Sequence, residues 1–86
     1  RINDTPSFKT LNNNYQKYFI PIPDTDLQYV FYKSKVTGRW WVSSSMDFDS
    51  ESSLREQLIP CSYEDYLQAN EGEMSKRIYR LLKLKS

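Results

Sequence analysis

The stretch Leu27-Gln28-Tyr29-Val30-Phe31-Tyr32-Lys33-Ser34-Lys35-Val36-Thr37-Gly38-Arg39-Trp40-Trp41-Val42-Ser43-Ser44-Ser45 decides how this chain folds. Its two arms are rich in β-branched and aromatic side chains, the composition that suits a pleated, half-buried surface. Between the arms, a three-residue hairpin loop needs a type I turn followed by a residue at positive φ. Glycine takes that place without steric cost, and Gly38 stands there. Lys35 then faces Arg39, and the register follows. Lys33, Phe31 and Tyr29 oppose Trp41, Ser43 and Ser45 on one face. Ser34, Tyr32 and Val30 oppose Trp40, Val42 and Ser44 on the other. Both faces carry large apolar groups, whereas a hairpin wetted on one side alternates apolar with polar. Either other elements cover both faces, or one aromatic face is a contact surface.

The same register ranks the two tryptophans. The polar neighbours of Trp40 are serines, and those of Trp41 are Lys33 and Arg39. A hydroxyl costs far less to desolvate than a charge. Trp40 is therefore expected in the core, under a terminal helix near Ile78 and Leu81 or Leu82. Trp41 is expected to be more exposed, with Lys33 and Arg39 flanking it.

Upstream, residues 15–23 mix aromatics with Pro21 and Pro23. Proline removes a ladder donor, so this segment reads as an edge strand or an extended segment rather than a central strand, with Asp24-Thr25-Asp26 as the turn after it. Residues 1–14 are polar and read as a tail or linker docking through Phe8 and Leu11. Downstream, residues 43–53 form an acidic, serine-rich loop. Ser53 and Glu56 have capping-box spacing, predicting a short helix over 54–59 that Pro60 stops. Ser62, followed by Glu64 and Asp65, predicts a helix over 63–70. Asn70 and Gly72 interrupt it, and Met74, Ile78, Leu81 and Leu82 resume helical spacing over 73–84. The sequence thus predicts an α+β fold. A small antiparallel sheet of two or three strands, centred on the 27–45 hairpin, packs with C-terminal helices.

With 86 residues the length allows one domain, residues 15–86, and the start at Arg1 suggests a piece of a longer protein. A domain this small buries roughly 60–65% of its unfolded surface, so its stability margin is thin. The net charge of +1 gives no global field that would steer it onto nucleic acid or an anionic membrane. The single cysteine, Cys61, excludes an internal disulfide and points to the cytoplasm or nucleus. No apolar run reaches the ~20 residues of a membrane span.

Chemistry is sparse. There is no histidine, which removes the usual general base and the commonest metal ligand. Cys61 therefore has no histidine to activate it. Two glycines, Gly38 and Gly72, cannot form a phosphate-cradling loop. The carboxylate pairs Asp24/Asp26 and Asp47/Asp49 lack calcium-loop spacing and read as solvated turns. The chain is therefore not expected to be an enzyme, and no catalytic residue, metal site or cofactor is assigned.

What remains points to binding. Seven Tyr and two Trp supply side chains suited to half-buried contact positions. The candidate partner-binding residues are Trp41, Lys33, Lys35 and Arg39 at the hairpin end, and Arg80 and Lys83 on the basic terminal helix. The leading expectation is a non-catalytic protein–protein interaction or self-association domain of an intracellular regulatory or scaffold protein. Its partner would be another protein or another domain of the same chain. The alternative is a nucleic-acid-binding module that uses the same bases for phosphate contacts and an exposed ring for stacking.

Overall fold

The computed structural model describes residues 6–22, 24, 26–44, 48–72 and 78–80. Its centre is a four-stranded antiparallel sheet in the order β1 (Tyr15–Pro21), β2 (Gln28–Ser34), β3 (Trp40–Ser43), β4 (Ile59–Cys61). Three helices accompany it: α1 (Phe8–Asn13), α2 (Glu51–Gln57) and α3 (Tyr63–Asn70). The α+β class and the central hairpin are as the sequence predicts, and β1 is an edge strand. The turn after β1 includes Asp24 at φ 65°, a left-handed conformation that aspartate tolerates better than most residues. The fourth strand is additional. Pro60 does not merely stop a helix but lies within β4, opposite Trp41.

Both faces of the sheet are covered. On one, Ile20, Tyr29, Phe31, Trp40, Val42 and Ile59 pack with Ala69 and Tyr66 of α3 and with Ile78. On the other, Tyr15, Val30 and Tyr32 pack with Leu11 of α1 and with Leu54 and Leu58 at α2. Phe31, Val42, Leu54 and Ile78 are fully buried. This two-sided burial explains why the hairpin arms do not alternate cleanly: a sheet buried on both faces reads as a near-continuous apolar run.

The hairpin register differs by one residue from the sequence expectation. Lys33 opposes Trp40, Tyr32 opposes Trp41, Phe31 opposes Val42 and Val30 opposes Ser43. The cause lies in the turn. Ser34 donates its backbone N–H to Arg39 (2.9 Å) and accepts from Gly38 N–H (3.0 Å), so the loop contains four residues, 35–38. The buried Ser34 Oγ also accepts from the Val36 and Thr37 amides, both at 3.2 Å. Those bonds favour a turn one residue wider than glycine placement alone suggests. Gly38 still takes the positive φ, at 78°. A slip of one exchanges the face partners of a strand. Trp40 is buried as expected, but on the face of Phe31 and Tyr29 rather than that of Val30 and Tyr32. Leu81 and Leu82 lie outside the described residues.

The helices show a second set of differences. Residues 8–13 of the polar N-terminal stretch form α1. Ser7 and Thr10 cap it reciprocally: Ser7 N–H reaches Thr10 Oγ1 at 2.8 Å, and Thr10 N–H reaches Ser7 Oγ at 3.2 Å. Leu11 docks into the core as expected, while Phe8 stays 38% exposed. The next helix starts earlier than 54, at Glu51. Ser50 rather than Ser53 is its N-cap, accepting from the Ser53 amide at 3.1 Å. Glu51 in the first turn suits the dipole, and its Oε1 also accepts from the Phe8 amide at 3.2 Å, tying α2 to the start of α1. Helix α3 matches the expected 63–70 with Ser62 as N-cap. Asp65 completes the box by accepting from Ser62 N–H at 3.0 Å. Of the helix predicted over 73–84, Ile78–Arg80 are described and helical.

Candidate interaction surface

The corrected register separates the residues singled out at the hairpin end. Lys33 lies on the α3 face, with its ammonium 5.7 Å from the Trp40 ring centre, so the cation pairs with Trp40 and not with Trp41. Trp40 is only 7% exposed because its ring surfaces are occupied. Tyr66 stacks on it at 4.8 Å, and Tyr18 and Tyr63 approach at 5.5 and 5.6 Å. Trp41 points to the opposite face and is half-buried against the cluster of Tyr32, Leu54 and Leu58. Its indole Nε1 is buried and has no acceptor among the described residues. Arg39 shares that face, whereas Lys33 does not, so Lys33 cannot flank Trp41 from β2. Lys35 and Arg39 are exposed at the turn, Arg80 is exposed on the 78–80 helical turn, and Lys83 lies outside the described residues. Lys33 and Trp41 therefore do not belong to one patch.

The hydrogen-bond phase of the sheet exposes a different surface. Ile22 N–H donates to Leu27 at 3.0 Å, and Lys35 N–H donates to Asn14 at 2.7 Å. Antiparallel ladders alternate bonded and non-bonded pairs. Gln16, Tyr18 and Ile20 therefore bond to β2, and Lys17, Phe19 and Pro21 turn their backbone groups outward. No described strand pairs with that edge. At the other edge, β3–β2 bonding through Ser34 and Arg39 sets the phase so that Pro60 faces outward from β4. β4 is three residues long and has a proline in its only outward position, which blunts it as a pairing template. β1 is seven residues long, and its outward amides at Lys17 and Phe19 are intact. Phe19 is 47% exposed, next to exposed Lys17.

One small pocket, of about 150 Å³, is lined by Ile20, Pro21, Ile22, Tyr29, Ala69, Gly72 and Tyr79. It is smaller than the roughly 300 Å³ at which small-molecule sites begin. Burial, and secondarily Tyr79, push the Tyr29 phenol above its ordinary pKa. Among the described residues no group of His, Cys, Asp or Glu is arranged to hold a metal ion.

Known protein families, curated proteins and solved structures give no match to this chain. The site must therefore be read from its own geometry. Sequence inspection passed over Lys17 and Phe19 because nothing about their residue types marks them. The available signal was Pro21, whose tolerance in a strand already fixes the odd-numbered positions of β1 as the outward ones.

Proposed function

We infer that the chain is a protein–protein interaction module whose contact surface is the outer edge of β1. The observation that carries this reading is the asymmetry of the two sheet edges. β4 is short and proline-blocked, while β1 presents seven residues with exposed Phe19 beside intact outward amides. An edge of this kind recruits an extended segment as an added strand: main-chain bonds supply affinity, and alternate side chains supply specificity. The absence of a histidine supports a non-catalytic role, and the single cysteine supports an intracellular setting. No helix among the described residues is long and apolar enough to cross a membrane.

Nucleic-acid binding through the hairpin end has less support. Trp40 is enclosed by tyrosines and Lys33, and half-buried Trp41 shares its surface with the α2 cluster, so neither indole offers an open face for base stacking.

Selection of extended peptides from a displayed library tests the reading. Binders should be recovered on the natural chain and lost on Lys17→Pro, which removes an outward amide without touching the internal ladder. Failure to enrich any peptide, or binders indifferent to Lys17→Pro, would overturn the edge assignment.

A further inference from the structure

The β1 edge is complementary to itself. Two copies can pair antiparallel only where outward residues meet outward residues, which restricts the two-fold registers to a few. Placing Lys17 opposite Lys17 of a second copy sets like charges face to face, which is unfavourable. Placing Phe19 opposite Phe19 sets Lys17 against Pro21, which has no N–H to give. The remaining central register sets Tyr18 opposite Tyr18. Lys17 then opposes Phe19 in both directions, and Gln16 opposes Ile20. The Lys17 and Phe19 amides and carbonyls exchange bonds reciprocally, and the Pro21 carbonyl falls opposite Tyr15. This register gives about four inter-chain backbone bonds through Lys17 and Phe19 alone, by the alternation rule of antiparallel ladders, without setting like charges or the proline nitrogen against them. It also lays the aliphatic stem of each Lys17 along the exposed Phe19 ring of the other copy, with the ammonium free to reach the ring or solvent. Lys17, which in isolation protects an edge, is thus compatible with self-pairing in this register.

We propose that the partner at this edge is a second copy of the chain, paired antiparallel through β1 about Tyr18 to form a continuous eight-stranded sheet. The proposal rests on the edge reading above and goes further by naming the occupant. The contact is small, so association is weak and concentration-dependent.

Sedimentation equilibrium over about 10 µM to 1 mM, a range suited to weak contacts, tests it. The natural chain should show a reversible monomer–dimer equilibrium. Lys17→Pro should be monomeric throughout, and Phe19→Lys should weaken the dimer at least tenfold by setting lysine against Lys17 of the other copy. Adding Lys17→Glu to Phe19→Lys should restore it, because opposite charges then meet in this register. Thermal melts check that each variant is folded, and the two exposed-side-chain variants stand if the proline variant does not fold. A natural chain that stays monomeric, a Lys17→Pro dimer of undiminished strength, or no rescue by the double variant would each overturn self-pairing. A monomeric chain that still selects peptides sensitive to Lys17→Pro loses the self-pairing proposal alone. A monomeric chain that selects none loses the edge reading as well.

Discussion

Replacing Trp40 with alanine should be the most damaging of the tryptophan substitutions. A tryptophan buries about 150–250 Å², and Trp40 is 7% exposed. Removing the indole therefore returns roughly 150 Å² more than an alanine methyl can compensate. At about 25 cal/mol per Å² this costs about 4 kcal/mol, within the range for aromatic-to-alanine core changes. The loss of the Tyr66 stack and the Tyr18 and Tyr63 contacts places it at the upper end. An 86-residue domain has a total stability of about 4–13 kcal/mol, so the substitution removes between a third and all of it. The melting midpoint should fall by about 15–30 °C. Trp41→Ala should cost about 1 kcal/mol: its ring is half-buried, and its removal also deletes a buried indole N–H that has no acceptor among the described residues, whose desolvation penalty is recovered. Urea titration of the two variants beside the natural chain, followed by far-ultraviolet circular dichroism, measures both. A Trp41→Ala loss equal to or larger than that of Trp40→Ala would refute the assignment of faces.

Two further substitutions probe the hairpin and the pocket. Ser34→Ala should cost about 1–2 kcal/mol by removing the buried acceptor for the Val36 and Thr37 amides. It should also free the turn to sample the narrower register, which cross-strand nuclear Overhauser effects between residues 33 and 41 would reveal. An unchanged midpoint and unchanged contacts would remove Ser34 as the cause of the four-residue loop. Tyr29 links stability to alkaline pH. Burial raises its folded pKa above the unfolded value near 10, so the unfolded chain ionises first. Stability is full below pH 10 and declines as pH rises above it. Tyr29→Phe should flatten that decline in denaturant titrations between pH 9 and pH 11, and an equally steep decline would contradict a buried phenol.

Much of the architecture could be read from the sequence because local chemistry was explicit. The paired β-rich arms around Gly38, the prolines keeping residues 15–23 out of a central strand position, and the Ser62 N-cap followed by acids in the first turn are each marked by residue types with a direct physical reading. The features that escaped depend on choices between near-equal alternatives. The turn could close over three residues or four, and the Ser34 hydroxyl, silent in any hydrophobic pattern, favoured four. Ser50 and Ser53 could each cap α2, and Ser50 won with Glu51 placed in the first turn. β4 is three residues long and contains a proline, so it has no strand signature of its own and exists because Ile59 and Cys61 fit beside Val42 and Trp40. α1 is too short to hold helix by propensity and is fixed by its cap and by the docking of Leu11. The candidate surface was hardest to see, since an open edge is defined by backbone phase and the absence of a neighbouring strand.

Residue-resolved amide hydrogen exchange tests the β1 edge most directly. In dilute solution Tyr18 and Ile20, bonded to β2, should be protected, while Lys17 and Phe19 exchange rapidly. As the chain is concentrated, or as a selected peptide is added, Lys17 and Phe19 should become protected together while Tyr18 and Ile20 change little. Rapid exchange at Lys17 and Phe19 under every one of these conditions, or protection of both already present in the dilute monomer, would contradict an available pairing edge.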